Sequence, residues 1–283
     1  MNKVAKRLLV FFIGLPIVIG LVTLSQYNFI ALNIVLVVAS ALAANEFYNM
    51  AKLKFELFPK TAVIIFTALL PFLAYNFILI EMDFSSLIWI LALEIFIFMG
   101  AESILKKDFT NSLSKIAVTT LLIFYCGYMI TFLIRLTSIK ENATIFIILY
   151  FILVFMCDSG AWFFGILFGK STRGVFAASP NKSLVGFLGG IITCVACSLL
   201  FKFLFPDVFY GPFWKIMIVA FFTSLAAIIG DLIESVFKRS CGVKDSGNLI
   251  PGRGGILDCL DSLILGAPVY YISIYFLYLM ARL

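Results

Sequence analysis

The chain of 283 residues is 63% hydrophobic and 13% charged, with a mean hydropathy of +1.12, a balance far from that of a soluble globular domain. It contains no histidine, which excludes a Ser-His triad, a phosphohistidine intermediate, histidine metal ligands and a histidine general base. The formal net charge of +6 falls on one set of loops, so it describes a face for anionic lipid headgroups and not a nucleic-acid patch.

Apolar runs of about 17 to 25 residues predict spans near 8–25, 29–47, 61–80, 84–102, 113–136, 144–168, 184–205, 215–237 and 256–281. The first follows Lys3, Lys6 and Arg7 and imitates a secretory signal. It is long and closes on no small-residue cleavage site, so it reads as a span. The expected fold is all-α: a polytopic integral membrane protein of about nine transmembrane helices. No internal repeat, low-complexity linker or soluble domain interrupts them. Residues 1–112 carry spans 1 to 4, 113–143 a middle span and its loop, and 144–283 the spans 6 to 9 with loops 169–183 and 238–255. With the N-terminus inside, sixteen of the 21 Lys and Arg residues lie on inner segments, leaving Arg135, Lys140, Lys202, Lys215 and Arg282 outside. That bias sets a cytoplasmic N-terminus and places both loops on the cytoplasmic side, within reach of nucleotides.

Carboxylates within apolar spans need a partner, an ion or a role. Five stand out: Glu46, Glu94, Asp158, Asp231 and Glu234. Glu94, alone in mid-span, reads as a protonated or interhelically hydrogen-bonded residue. Asp158 opens a small-residue face formed by Gly160, Ala161, Gly165 and Gly169, and helix packing and a site role are equally open to it. In the following loop Ser179, Lys182 and Ser183 precede a helix start, where free N–H groups favour phosphate; as a cap alone that signal is weak. Cys194 and Cys197 form a C-x-x-C in an apolar run without a second pair of soft ligands, so the six cysteines read as packing residues.

The densest polar segment runs from Gly230 to Asp261. Asp231 with Glu234, and Asp258 with Asp261, are each spaced to share one helix face. Between them lies a loop holding Lys238, Arg239, Lys244, Asp245, Arg253 and several glycines. Four acids around a basic, glycine-bearing loop suit a divalent cation held between protein oxygens and a phosphorylated substrate. The plain alternative is an ordinary loop between spans.

The run of Ser235, Lys238, Arg239, Lys244, Asp245, Gly247, Pro251, Gly252, Gly254, Gly255, Asp258 and Asp261 resembles the signature of the phosphatidate cytidylyltransferase family, also called CDP-diacylglycerol synthase. The resemblance extends to Gly230, Asp231 and Glu234, to D-x-x-A-W-F-x-G at Asp158 to Gly165, and to S-P-x-K-S at Ser179 to Ser183. It implies transfer of CMP from CTP to phosphatidic acid, giving CDP-diacylglycerol and pyrophosphate. It further implies a bacterial inner-membrane enzyme with its site facing the cytoplasm, a homodimer, and Mg2+ as cofactor, with a second cation left open. The implied partners are CTP, phosphatidic acid and membrane lipids, with no nucleic acid.

On this resemblance Asp231 and Asp258 are the principal Mg2+ ligands, with Asp261 and Glu234 as further ligands or supports. Lys238, Arg239 and Lys244 neutralise phosphate charge, and Asp245 orients Lys244 or binds metal. Ser179, Lys182 and Ser183 hold the nucleotide, with Asp158 also on the substrate side. Arg253 adds a cation, and the glycines at 252–255, Gly254 and Gly255 included, admit backbone amides to phosphate oxygens. The chain departs from the family pattern where Arg253 replaces histidine, Cys259 replaces arginine and Val185 replaces an acid. Two alternatives stand beside the synthase. One is a catalytically weakened member that binds nucleotide or lipid. The other is a cation-coupled membrane transporter, against which stand the lack of an inverted repeat and the gathering of acids near one loop.

Overall fold

The computed structural model describes Gly14 and residues 16–280. Among the described residues, eight helices are long and apolar enough to cross a membrane: α1 Gln26–Ala51, α2 Lys60–Leu79, α3 Ser86–Leu105, α4 Ser112–Thr137, α5 Ala143–Leu167, α6 Leu184–Leu204, α7 Phe213–Ser240 and α8 Leu257–Leu279. The chain is an all-α polytopic membrane protein. Helices prevail because a backbone in lipid must satisfy its polar groups within its own segment. The eight correspond to the second to ninth predicted spans. Residues 8–13 and 15 of the first, 8–25, lie outside the described residues, as do Lys3, Lys6, Arg7 and Arg282; 16–23 are helical.

Two compact units emerge, one of Met1–Ser138 with Ser240–Leu260, the other of Ile139–Arg239 with Asp261–Leu283. The polar loop after α7 is grouped in the first unit.

In the first unit α1 opens on three left-handed residues, Tyr27, Asn28 and Phe29, with φ of 49°, 54° and 59°. The regular helix therefore begins after Phe29. Asn33 secures that reversal, its Nδ2 donating to the Asn28 carbonyl at 2.8 Å and to Thr137 Oγ1 of α4 at 3.1 Å. α4 contains a π-helical turn at Phe124–Tyr128. There Ser40 Oγ of α1 donates to the Cys126 carbonyl at 2.6 Å, consistent with a bulge that loosens the helical ladder. α3 and α4 are joined by a buried ion pair, Lys115 Nζ to Glu102 Oε2 at 2.5 Å, with Ser112 Oγ donating to Glu102 Oε1 at 2.7 Å. Glu94 is 2% exposed, and neither of its oxygens has a hydrogen-bond partner among the described residues. The interhelical hydrogen bond expected for it is therefore not formed.

In the second unit α5 and α6 meet through small residues. A Cβ on Gly186 would stand 2.7 Å from the Ala161 carbonyl, and one on Gly190 2.7 Å from the Cys157 carbonyl. The face opening at Gly160 thus meets a glycine face on α6. α8 is held to α5 by two buried tyrosines: Tyr150 Oη donates to the Leu263 carbonyl at 2.5 Å and Tyr270 Oη to the Phe146 carbonyl at 2.7 Å. At another end of this unit Lys202 Nζ gathers the Phe209 and Gly211 carbonyls at 2.5 and 2.6 Å, closing the loop before α7.

Candidate functional site

In the second unit, α5, the 169–183 loop, α6 and α7 enclose a cavity of about 390 Å³. Asp158, Trp162, Arg173, Asn181, Lys182, Ser183 and Asp231 line it, with Ile166, Phe187 and Ile228 as its apolar wall. Lys182 forms an ion pair with Asp231 across this space. The 169–183 loop is also tied to the end of α7, where Arg239 Nε donates to the Ala178 carbonyl at 3.3 Å. Within the second unit that loop and the end of α7 are therefore held together.

Further acids lie beside the cavity. Asp261 is 8% exposed and lies within electrostatic reach of Asp231, Glu234 and Asp158. Gly230 makes this approach feasible: a Cβ there would stand 2.6 Å from the Asp261 carbonyl oxygen. Glu234, fully buried, pairs with Lys238 one helical turn along α7. Four carboxylates and two lysines thus share one region, and the acids carry only oxygen donors, which suits a hard cation such as Mg2+. Among the described residues, no three Asp, Glu or Cys side chains form a group able to hold an ion by themselves. Mg2+ takes one or two carboxylates and leaves its remaining positions to phosphate and water, so this donor set fits a cation shared with a phosphorylated substrate.

Other expected residues also have structural partners. Ser183 is buried, and its Oγ accepts from the Gly186 N–H at 3.1 Å as the N-cap of α6. Ser179 shapes the turn before it, its carbonyl accepting from the Lys182 N–H at 3.1 Å, and it is not among the residues lining the cavity. Arg173 and Asn181 do line it; the sequence marks Asn181 only as the amide of the polar stretch before α6 and gives Arg173 no site role. Arg173 was counted only among the inner cations, and its Nη2 donates to the Gly165 carbonyl at 3.3 Å.

The 240–260 loop belongs to the first unit. Asp258 Oδ2 accepts from the Ser246 N–H at 2.9 Å, the Ser246 hydroxyl at 2.8 Å and the Gly255 N–H at 2.8 Å. Expected as a principal metal ligand, it is also the knot of its own loop. The amides of Arg253 and Gly254 donate to the Ile250 carbonyl. The amides of Gly254 and Gly255, expected to reach phosphate, therefore already serve acceptors within the loop. Lys244, Asp245 and Arg253 are exposed. Burial pushes the Cys241 thiol up, against a smaller opposing pull from Lys54, which marks it as a packing residue and not a thiolate nucleophile.

Apolar helices around a pocket of carboxylates and cations define a polytopic membrane protein of the all-α class. The chain belongs to the cytidylyltransferase family, whose sequence profile matches residues 5–277. It is 30% identical over 242 residues to the phosphatidate cytidylyltransferase of Bacillus subtilis, covering 84% of this chain and 87% of that protein. It is also 30% identical over 233 residues to the phosphatidate cytidylyltransferase of Staphylococcus epidermidis, 81% of this chain and 84% of the other. A stretch of 138 residues, 49% of this chain and 50% of the relative, is 41% identical to the Helicobacter pylori enzyme of the same name.

Proposed function

We infer that the chain is a phosphatidate cytidylyltransferase, transferring CMP from CTP to phosphatidic acid to give CDP-diacylglycerol and pyrophosphate. One observation carries this reading beyond the family: the cavity in which Lys182 meets Asp231, with Asp158, Arg173, Asn181 and Ser183 around them. A phosphate oxygen of the lipid attacks the α-phosphorus of CTP, and the bond from that phosphorus to the bridging oxygen of the β-phosphate breaks. Pyrophosphate leaves with that electron pair. No enzyme nucleophile is required, because the attacking oxygen comes from the substrate.

The obstacle is the meeting of two anions, so the side chains serve mainly to position and neutralise. Lys182 and Arg173 hold triphosphate oxygens, with Asn181 as a neutral donor. Asp231 and Asp261 would hold Mg2+, supported by Glu234, Lys238 and Asp158. Bound there, Mg2+ would supply positive charge to the triphosphate in the transition state. The apolar side chains of Ile166, Phe187 and Ile228 would limit the water beside the α-phosphorus, where it competes with the lipid phosphate. Lys244 and Arg253, exposed on the loop of the first unit, are available to phosphate; Arg239, exposed on α7, is a further cation. This reading includes nine spans, a cytoplasmic N-terminus, a site facing the cytoplasm of a bacterial inner membrane, and a homodimer.

The test is Mg2+-dependent release of pyrophosphate from CTP and phosphatidate in detergent micelles. The natural chain turns over, and Asp231→Asn lowers kcat by about two orders of magnitude or more. A folded natural chain that is silent, and is revived by Cys259→Arg alone or with Arg253→His and Val185→Glu, would instead be a weakened family member.

A further inference from the structure

Glu46 lies near the end of α1 and is 8% exposed. Its Oε1 accepts from the Ile256 N–H at 3.0 Å, and its Oε2 accepts from the Leu257 N–H at 2.9 Å. The Ser246 hydroxyl stands between two carboxylates, 3.1 Å from Glu46 Oε2 and 2.8 Å from Asp258 Oδ2. One side chain from the start of the sequence thereby holds both ends of a loop about 200 residues further on. Two glycines exist to admit it. A Cβ on Gly247 would stand 2.6 Å from Glu46 Oε1, and one on Gly255 would collide with Glu46 Oε2.

We propose that Glu46 is a positioning residue for the cytidylyl transfer: it fixes loop 246–257 and the first turn of α8, and contacts no substrate itself. The proposal rests on the cytidylyltransferase reading above. Three of the groups facing Glu46 are donors, two backbone amides and one hydroxyl. A carboxylate offers two acceptor oxygens to such a set, whereas glutamine must turn an NH2 toward one of them. Leu257 is fully buried, so its N–H has no water to replace a lost acceptor. A negative charge at this helix start also complements the partial positive charge of the first turn of α8. The loop carries Lys244 and Arg253. The turn that Glu46 anchors leads, one helical turn after Asp258, to Asp261.

Glu46→Gln therefore leaves the binding groups in place and spoils their alignment. Its kcat falls by about 10- to 100-fold, while KM for CTP changes by less than about threefold. Glu46→Asp, which keeps two acceptor oxygens on a shorter stem, recovers part of the loss. Ser246→Ala lowers kcat less, and the double variant Glu46→Gln with Ser246→Ala is no slower than Glu46→Gln alone, because both act through one network. Hydrogen exchange of residues 246–257 rises locally in Glu46→Gln and remains unchanged in α5 and α6. Wild-type kcat in Glu46→Gln, additive losses in the double variant, or a large rise in KM with kcat preserved would overturn the proposal. If Glu46→Gln is not recovered folded, Ser246→Ala decides: an unchanged kcat there overturns it. If the natural chain is silent toward CTP and phosphatidate, the cytidylyltransferase reading fails separately, and unaltered exchange in the loop of Glu46→Gln refutes the positioning role without any turnover.

Discussion

Lysine beside carboxylate is the ordinary way to hold opposite charges near lipid, and Lys182 with Asp231 does so at the wall of a cavity. A phosphate entering that cavity can take the ammonium from the carboxylate, leaving the carboxylate to a cation. Lys182→Met keeps the length of the stem and removes the charge. It lowers kcat/KM for CTP by about 10- to 100-fold, the scale of one lost charge-assisted contact, in the pyrophosphate-release assay; an unchanged value would exclude Lys182 from nucleotide binding. The acids of this region were legible in the sequence because carboxylates in apolar spans need a reason to be there. Ser183 was read as a nucleotide ligand, and its hydroxyl caps α6. Glu46 was visible as an acid in a span, yet its partners are backbone amides, and a backbone amide carries no sequence signal. Arg173 was hidden differently: one arginine among many inner cations shows nothing of the cavity it lines.

At the level of helices, the small-residue face from Gly160 onward predicted close approach, and α6 supplies the matching glycines. Gly190→Val places its Cβ against the Cys157 carbonyl and destabilises the α5 and α6 pair by about 1–3 kcal/mol, read as a loss of thermal stability in detergent. Glu94 gives the opposite expectation. Its buried oxygens have no hydrogen-bond partner among the described residues, and such a group costs roughly 1–3 kcal/mol. Glu94→Leu therefore raises the melting temperature with activity retained, and a lowered one would indicate a partner for this carboxyl. The loop after α1 carries a pH-sensitive tie. Hydrogen bonds from Asn111 and then Lys106 hold the Glu56 carboxyl below its ordinary 4.5. Its small, solvent-screened contribution is therefore complete above that value and lost as pH falls through the lowered one. Glu56→Gln flattens that part of the acid limb of a thermal-stability profile. The π-helical turn at Phe124–Tyr128 was not legible, since one added residue in a helical turn leaves the hydropathy of a span unchanged.

For the whole chain, the bias of Lys and Arg toward one set of loops makes a topological prediction that chemistry can check. In a cysteine-free background, single cysteines at Ser171 and Asn248 react with a membrane-impermeant thiol reagent only when the cytoplasmic face is open, and one at Lys140 reacts from the outside. Reversed labelling would overturn the orientation. Composition and hydropathy by themselves determined that this is an all-α membrane protein, and the spacing of its polar residues determined the family, because a span of fixed thickness and a signature of fixed offsets are both local properties of a chain. Only the tertiary structure decided that Asp158, Lys182 and Asp231 share a cavity, that the amides of Gly254 and Gly255 serve acceptors within their own loop, and that Glu46 anchors the start of α8. Those outcomes depend on which distant backbone groups meet which side chains, and that is settled by packing in three dimensions, where most buried donors find an acceptor.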